Sequence, residues 1–220
     1  MKFVKLILNI VPTLLLIVGC KAQEPNCEVQ ELNTKLIKMM KEEQDVRKAL
    51  MPLIAQNQKD GSGGLELFAL ATKMGQIDEK NQKELNAIFE HCGWPENLMP
   101  KAHQGVFLIL QHSPDSLMRK HYPRVKKYAE MGLLMPDDAA TMYDRLQMYA
   151  RKPQRYGTQT FQRNSQNVVW PIQNMDSLSS LRSSVGLPSM EAYFKIAKDS
   201  TTIEIVWDKK LKIEDIPRNE

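Results

Sequence analysis

The chain has 220 residues, of which 42% are hydrophobic and 25% are charged, and this composition is ordinary for a globular protein with one core. Lys2 and Lys5 supply two of its four net positive charges. Because the remainder is close to neutral, the charge gives no argument for nucleic-acid binding, and no nucleic-acid partner is expected.

The first predicted element is a secretory signal peptide, residues 1–19. Its basic start is followed by an apolar run of 13 residues, 6–18, which is shorter than the roughly 20 residues needed to span a bilayer and is typical of a signal peptide. The run ends in the sequence IVGC at residues 17–20, which resembles a bacterial lipobox. That resemblance implies cleavage before Cys20 and a lipid on its thiol. The alternative is an ordinary signal peptide with an incidental cysteine.

The residues after Cys20 indicate a cellular location. Two or three acyl chains on this cysteine would anchor the protein firmly, since each buried CH₂ contributes about 0.8 kcal/mol. By resemblance to the sorting rules of two-membrane bacteria, the absence of an acid in residues 21–23 permits outer-membrane delivery. We therefore expect a lipoprotein of the cell envelope that faces the periplasm, with residues 20–27 forming the lipidated cysteine and its tether.

Two other cysteines, Cys27 and Cys92, remain. An oxidising envelope compartment allows them to form a disulfide, and the long loop that it closes would stabilise the fold by about 4 kcal/mol in the chain-entropy model. Two cysteines do not make the disulfide framework of a small secreted domain, however. We therefore expect two unpaired thiols, one in the tether and one buried at a helix end.

Residues 28–200 are predicted to form a single helical domain. Apolar residues recur at three- and four-residue steps from Val29 to Leu50, which predicts an amphipathic helix that ends at Pro52. Glu43 interrupts its apolar face, and Arg47 follows four residues later on that face, where the two side chains can pair. Because an unpaired buried charge is costly, the pair is either a structural ion pair or part of a site.

Further helices are predicted up to residue 150. Residues 55–64 are expected to form a loop, Gly75 to break a short helix and Asp78 to cap the next one. Residues 102–111 are apolar nearly all round, which predicts a buried central helix with His112 at its C-terminus. A Ser-Pro-Asp and a Pro-Asp-Asp sequence then start two more helices.

The pattern changes after residue 153. Residues 158–161 and 167–172 are rich in β-forming residues and flank a polar turn, which predicts a hairpin. Helices follow, and residues 201–220 are expected to form a last strand and a charged tail that frays. The predicted fold is therefore mainly α, a compact domain of about six or seven helices with a small β-hairpin near the C-terminus.

Six short sequences then carry a resemblance: EQxxR from residue 43, GWP from 93, QHxxD from 111, DR from 144, QxYGTQ from 154 and RxxxGL from 182. In this order they resemble the bacterial domain-of-unknown-function family DUF6624 over most of residues 32–193. Several members of that family look secreted or lipid-anchored. Glu43 stands where the family pattern has aspartate. The resemblance implies a shared site and no particular reaction.

The polar residues of these sequences make up the predicted site. His112, Glu43 and Asp144 are the candidate catalytic groups, because an imidazole moves protons near neutral pH and a buried carboxylate can act as a base. The arginines are candidates for gripping a carboxylate or phosphate. Gly157 would let backbone N–H groups approach a ligand. The candidate ligand-binding residues are Arg47, Arg145, Gln154, Tyr156, Gly157 and Gln159.

Two interpretations stay open. In the first, these side chains form a cleft for a small anionic or polar ligand, with hydrolase or transferase chemistry. In the second, they form a structural network in a non-catalytic interaction module or immunity-like scaffold, and His112 only caps a helix. The four histidines lack metal-ligand spacing and no P-loop or dinucleotide fingerprint is present, so no metal or cofactor is expected. Whether the protein is an enzyme stays undecided at this stage.

Overall fold

The structure, a computed structural model, describes residues 25–163, 166–201 and 204–217. Within these ranges the chain forms seven α-helices and a small three-stranded sheet near the C-terminus. The predicted mainly-α fold is therefore confirmed. The predicted signal peptide and Cys20 lie outside the described residues. No described helix has the length and apolar character that crossing a membrane requires.

Two long helices, α1 (Val29–Asp60) and α2 (Gly64–His91), form a helical hairpin. The predicted breaks at Pro52 and Gly75 are wrong, because both helices continue through these residues. Pro52 is exposed and loses only one backbone hydrogen bond, while a helical glycine costs only about 1 kcal/mol relative to alanine. The loop expected at residues 55–64 shrinks to residues 61–63, where two glycines have φ of 74°.

The central helix is α3 (Pro100–Gln111), and most of its residues are buried. Its closest approach to α1 is at Gly105, where an added Cβ would lie 2.8 Å from the backbone oxygen of Leu36. Only glycine permits this contact without a shift of the backbone. Gly105 therefore sets how closely α1 and α3 approach each other.

Two further helices, α4 (Asp115–Glu130) and α5 (Pro136–Tyr149), pack against each other beside α3. Buried side chains from all five helices meet in one hydrophobic core, and they include Leu36, Leu85, Leu110, Met118 and Met142. The core therefore holds α1 to α5 as one unit and fixes the relative positions of their polar residues.

The loop after α2 closes one end of this core. Trp94 is buried, its indole N–H donates to His103 Nδ1 at 3.0 Å, and its backbone oxygen accepts from the Tyr128 hydroxyl at 2.5 Å. Burial lowers the pKa of His103, which is consistent with a neutral ring that accepts this hydrogen bond. The Gly-Trp-Pro sequence is thus explained by packing.

The sheet contains β1 (Thr160–Arg163), β2 (Gln166–Val169) and β3 (Ile205–Val206). β1 and β2 pair in antiparallel register, which confirms the predicted hairpin, and β3 joins β2 in parallel. Two helices lie between β2 and β3 in the chain: α6 (Leu178–Ser184) and α7 (Met190–Thr201).

The expected fraying of the C-terminal tail is wrong for its described part, which ends at residue 217. Leu211 and Ile216 are buried against Val168 and Trp170 in a second hydrophobic cluster. Arg151, whose φ is 52°, donates hydrogen bonds to three backbone carbonyl oxygens of residues 213–217, the shortest of them 2.8 Å. The two apolar residues Leu211 and Ile216 lie within a mostly charged sequence, and their burial holds the segment in place.

Cys27 and Cys92 form a disulfide, so the expectation of two free thiols is wrong. Their Cα atoms are 5.4 Å apart, within the range that the bond requires. Cys27 precedes α1 and Cys92 follows α2, so the bond closes the open end of the α1–α2 hairpin. The pairing depends on the antiparallel course of two long helices, which the predicted break at Gly75 had concealed.

Candidate functional site

The predicted site residues fall into two neighbouring groups. The first, here named the ion cluster, joins side chains of α1, α2, α3 and α5, and consists of Glu43, Arg47, Asp78, His112 and Arg145. The second, the turn cluster, surrounds the segment after α5 and consists of Asp144, Gln154, Tyr156, Gly157, Gln159 and Arg182. A hydrogen bond between Arg145 and Gln159 connects them.

Glu43 lies at the centre of the ion cluster, and it is 1% exposed. Its Oε1 accepts a hydrogen bond from His112 Nδ1 and forms an ion pair with Arg47 Nη1 at 3.2 Å, and Arg47 Nη1 donates a hydrogen bond to the backbone oxygen of Glu43 at 3.3 Å. Arg47 also donates from Nη2 to Asp78 Oδ2 at 2.8 Å. The expected pairing of Glu43 with Arg47 is confirmed. The predicted helix-capping role of Asp78 is wrong, because α2 is already formed at that residue and the carboxylate serves as the second acid on Arg47.

His112 has two roles at the end of α3. Its backbone N–H donates to Leu108 O at 3.2 Å and completes the last helical turn. Its ring uses Nδ1 for Glu43, which leaves Nε2 as the nitrogen for proton exchange with a ligand. The side chains of His112 and Arg47 are 24% and 18% exposed, so solvent reaches the cluster although Glu43 is buried.

Arg145 has no carboxylate partner among the described residues. It donates from Nη1 to the backbone oxygen of Gln111 at 2.8 Å and from Nε to Gln159 Oε1 at 3.1 Å. Burial lowers the pKa of Arg145, and the positive charge of Arg47 lowers it further. The ion cluster therefore holds two guanidinium groups whose charges repel each other, and among the described residues one of them is held by neutral acceptors alone.

Three buried polar atoms of Glu43 and Gln111 have no hydrogen-bond partner in the part of the chain that the structure describes. They are Oε2 of Glu43 and both side-chain atoms of the Gln111 amide. Gln111, 4% exposed, directly precedes His112. Gln111 and Asp78 were not among the predicted site residues. The Gln-His pair gave a signal for Gln111, whereas only the hairpin geometry brings Asp78 to Arg47.

Asp144, a predicted catalytic group, holds the turn after α5. Its two oxygens accept five hydrogen bonds with lengths from 2.8 to 3.1 Å. The donors are the backbone N–H groups of Arg155, Tyr156 and Thr158 and the Thr158 hydroxyl, and the Tyr156 N–H is shared between both oxygens. Burial raises the pKa of Asp144, and these donors oppose the rise because they favour the charged form. With so many internal donors, its contacts favour a structural role.

Arg182 supports the same turn from the other side. It is 2% exposed and donates to the backbone oxygens of Tyr156 at 2.6 Å and Gly157 at 3.1 Å. The peptide groups of the turn thus lie between a buried carboxylate and a buried guanidinium, and each charge is hydrogen-bonded to the polar atoms that complement it. Arg182 was part of the RxxxGL sequence but was not predicted as a site residue.

The two glutamines and the glycine of the QxYGTQ sequence complete this turn. The Gln154 amide is fully buried, donates to the backbone oxygens of Gln159 and Trp170, and accepts from the Gln159 N–H at 2.8 Å. Gly157 has φ of 70°, and an added Cβ would lie 3.0 Å from Met190 Sδ. The space beside Gly157 is therefore filled by the protein itself, and these contacts favour packing over the expected ligand approach.

Tyr156 lines a cavity of about 250 Å³ between α4 and α5. Tyr122 forms another wall, and burial raises its pKa to about 12 with a further contribution from Tyr156. Three other surface cavities are lined by residues near Arg151, Arg155 and Trp170. None of these four cavities contains a residue of the ion cluster.

No three His, Cys, Asp or Glu side chains of the described part of the chain are grouped so that they could hold a metal ion. The ion cluster has one imidazole and two carboxylates, and both carboxylates are engaged by Arg47.

Comparisons with known proteins give one match. No match was found among curated proteins or among solved structures. A family of unknown function, DUF6624, matches residues 30–206. This range includes all residues of both clusters and confirms the resemblance inferred from the six short sequences. The chain therefore belongs to the DUF6624 family.

Proposed function

We propose that the protein is a lipid-anchored protein of the bacterial cell envelope whose helical domain binds a small anionic ligand at the ion cluster. The observation that carries the proposal is Arg145, a largely buried guanidinium that the charge of Arg47 repels and that has no carboxylate partner in the described part of the chain. Two like charges in a desolvated place repel each other, and an anion between them removes that repulsion.

The geometry of the two arginines suits an oxyanion. Glu43 and Asp78 hold Arg47 from two sides, while Gln111 O and Gln159 Oε1 hold Arg145. Each guanidinium is thereby fixed before a ligand arrives, which reduces the entropy that binding would otherwise remove. Planar guanidinium groups donate paired hydrogen bonds to carboxylate and phosphate oxygens.

His112 gives the site a group for acid–base chemistry. Glu43 orients the imidazole through Nδ1, and Nε2 is left for a bound ligand. A carboxylate-oriented imidazole is a general acid–base catalyst in many hydrolases and transferases. Hydrolysis or group transfer on the bound anion is therefore the reaction class that we propose if the protein is an enzyme.

Binding by calorimetry tests the proposal. Wild type and Arg145→Ala are titrated with sodium phosphate, sodium sulfate and sodium acetate at low ionic strength. We expect at least one anion to bind the wild type and to lose roughly tenfold or more in affinity for the variant. Arg124→Ala, which removes an exposed arginine of α4, is the control for general charge and should bind like wild type. Equal affinities of Arg145→Ala and wild type would show that the site is wrong.

A second candidate function is a non-catalytic interaction module or immunity-like scaffold. The turn cluster favours it, because Asp144 and Gln154 find partners within the chain and keep no group for a ligand. In that case no anion should bind, and Arg145→Ala should only lower the stability. The lipid anchor is tested separately by labelling cells with a radioactive fatty acid. Cys20→Ser should abolish the label, and label that persists would show that Cys20 is not the attachment residue.

A further inference from the structure

The second oxygen of Glu43 bears on which anions the site accepts. Oε1 accepts the hydrogen bond from His112 and takes part in the ion pair with Arg47, whereas Oε2 is buried and has no hydrogen-bond partner in the described part of the chain. A buried carboxylate oxygen without a donor is costly, and it accepts hydrogen bonds only. A fully deprotonated anion placed against this oxygen would meet lone pairs and negative charge. An anion that carries a hydroxyl would meet an acceptor.

Gln111 is a second buried polar residue, and it directly precedes His112 in the chain. It is 4% exposed, neither of its side-chain polar atoms has a partner, and its own backbone oxygen is held by Arg145. Its neighbour in the chain, His112, contacts Glu43. Gln111 therefore adds one unused donor and one unused acceptor at the edge of the cluster. Leaving such groups unpaired is rare in folded proteins and is a common property of sites that bind polar ligands.

We propose that the ion cluster selects anions that carry their own hydrogen-bond donor, of which hydrogen phosphate is the simplest, and that Glu43 Oε2 is the selecting atom. The arginines supply the attraction for negative charge. Oε2 accepts the hydroxyl of the ligand and repels anions that lack one. Inorganic phosphate keeps at least one proton near neutral pH, whereas sulfate of similar shape keeps none. This inference rests on the proposed anion site and adds which anions that site prefers.

The test compares phosphate with sulfate by calorimetry near neutral pH and at matched ionic strength. We expect phosphate to bind wild type roughly tenfold tighter or more, the effect of one charge-assisted hydrogen bond. In Glu43→Gln the new amide can donate to sulfate, so the preference should disappear or reverse. Asp45→Asn is the matched control, because Asp45 lies on the same helix and pairs only with Lys41 at the surface, and the preference should persist.

The outcomes separate the two proposals. If both anions bind wild type with equal affinity, the anion site stands and its specificity for a donor is wrong. If neither phosphate nor sulfate binds, the specificity for a donor is wrong, and the anion site is wrong as well unless acetate binds. Should Glu43→Gln fail to fold, the wild-type comparison still decides, and Gln111→Leu provides a second variant. We expect Gln111→Leu to melt at or above the wild-type temperature, because it removes an unpartnered amide, and to bind phosphate more weakly. Unchanged phosphate affinity would exclude Gln111 from the site.

Discussion

Asp138 lies in the first turn of α5 and is only 9% exposed. It accepts hydrogen bonds from the Met135 N–H at 3.1 Å and from Gln104 Nε2 at 3.3 Å. Burial raises its pKa to about 6, whereas an unfolded aspartate titrates near 4. The folded protein thus binds this proton more tightly than the unfolded chain does. The contribution of Asp138 to stability is greatest below about pH 4 and is lost as the pH rises to about 6.

Asp138→Asn should therefore raise the free energy of unfolding at neutral pH by up to about 3 kcal/mol, since the amide keeps an acceptor for Met135 N–H without a buried charge. Urea unfolding measured between pH 4 and 7 should also show a weaker loss of stability with rising pH than in wild type. Asp176→Asn, at an exposed carboxylate, is the control. A variant that is no more stable than wild type at neutral pH would contradict this account.

Asp144→Asn is expected to have the opposite effect. The amide nitrogen would face backbone N–H groups that now donate to a carboxylate oxygen, so several buried donors of the turn would lose their acceptor. We expect a loss of about 2–4 kcal/mol in the free energy of unfolding. Urea unfolding measures it, with the surface substitution Asp45→Asn as a control that should change little. A change below about 1 kcal/mol would show that the turn does not depend on this carboxylate.

At the scale of the elements, sequence periodicity identified most of the helices and the hairpin, because apolar residues recur with the period of each element. It failed at Pro52 and Gly75, where local breaking tendencies are weaker than the gain from continuing two paired helices. The sequence periodicity also did not predict which strand pairs with β3. Parallel pairing with β2 depends on where α6 and α7 place the chain, and no local pattern encodes that position.

The disulfide belongs to this scale because it joins the ends of two helices. Cys27→Ser combined with Cys92→Ser should lower the free energy of unfolding by about 4 kcal/mol, mainly because the unfolded chain gains freedom. Unfolding of wild type with and without dithiothreitol should show the same loss. The double variant should not respond to dithiothreitol. Equal stability of oxidised and reduced wild type would mean that the bond does not constrain the unfolded chain.

For the whole molecule, the sequence predicted the convergence of Glu43, Arg47 and His112 in outline, because these residues share helix faces or helix ends. It did not separate the ion cluster from the turn cluster. Asp144 and Arg145 are adjacent, and only the packing of α5 directs one carboxylate to the turn and the guanidinium towards Gln111. Adjacent helical residues point about 100° apart, so two roles were to be expected, but the sequence does not say which is which.

Arg151 connects the helical part of the molecule to the C-terminal segment. Arg151→Ala should lose the hydrogen bonds to residues 213–217 and keep the unfavourable backbone angle, whereas Arg151→Gly should lose the same bonds and relieve that angle. We expect the Ala variant to be the less stable of the two by about 1 kcal/mol. Trypsin should cleave both variants faster than wild type at the lysines of the C-terminal segment, Lys209, Lys210 and Lys212. Thermal melting and limited proteolysis measure these effects. If trypsin cleaved both variants at the wild-type rate, the hydrogen bonds of Arg151 would not be needed to hold the C-terminal segment in place.

Because β2 pairs with β3, the sheet can be completed only after the chain has been synthesised through α6, α7 and β3. All residues of the main core precede α6, so the five-helix body can form while later parts of the chain are still being made. Val168 and Trp170 stay uncovered until Leu211 and Ile216 arrive. During that interval this apolar surface is exposed on the growing polypeptide, which is therefore prone to aggregate until the C-terminal segment has been synthesised.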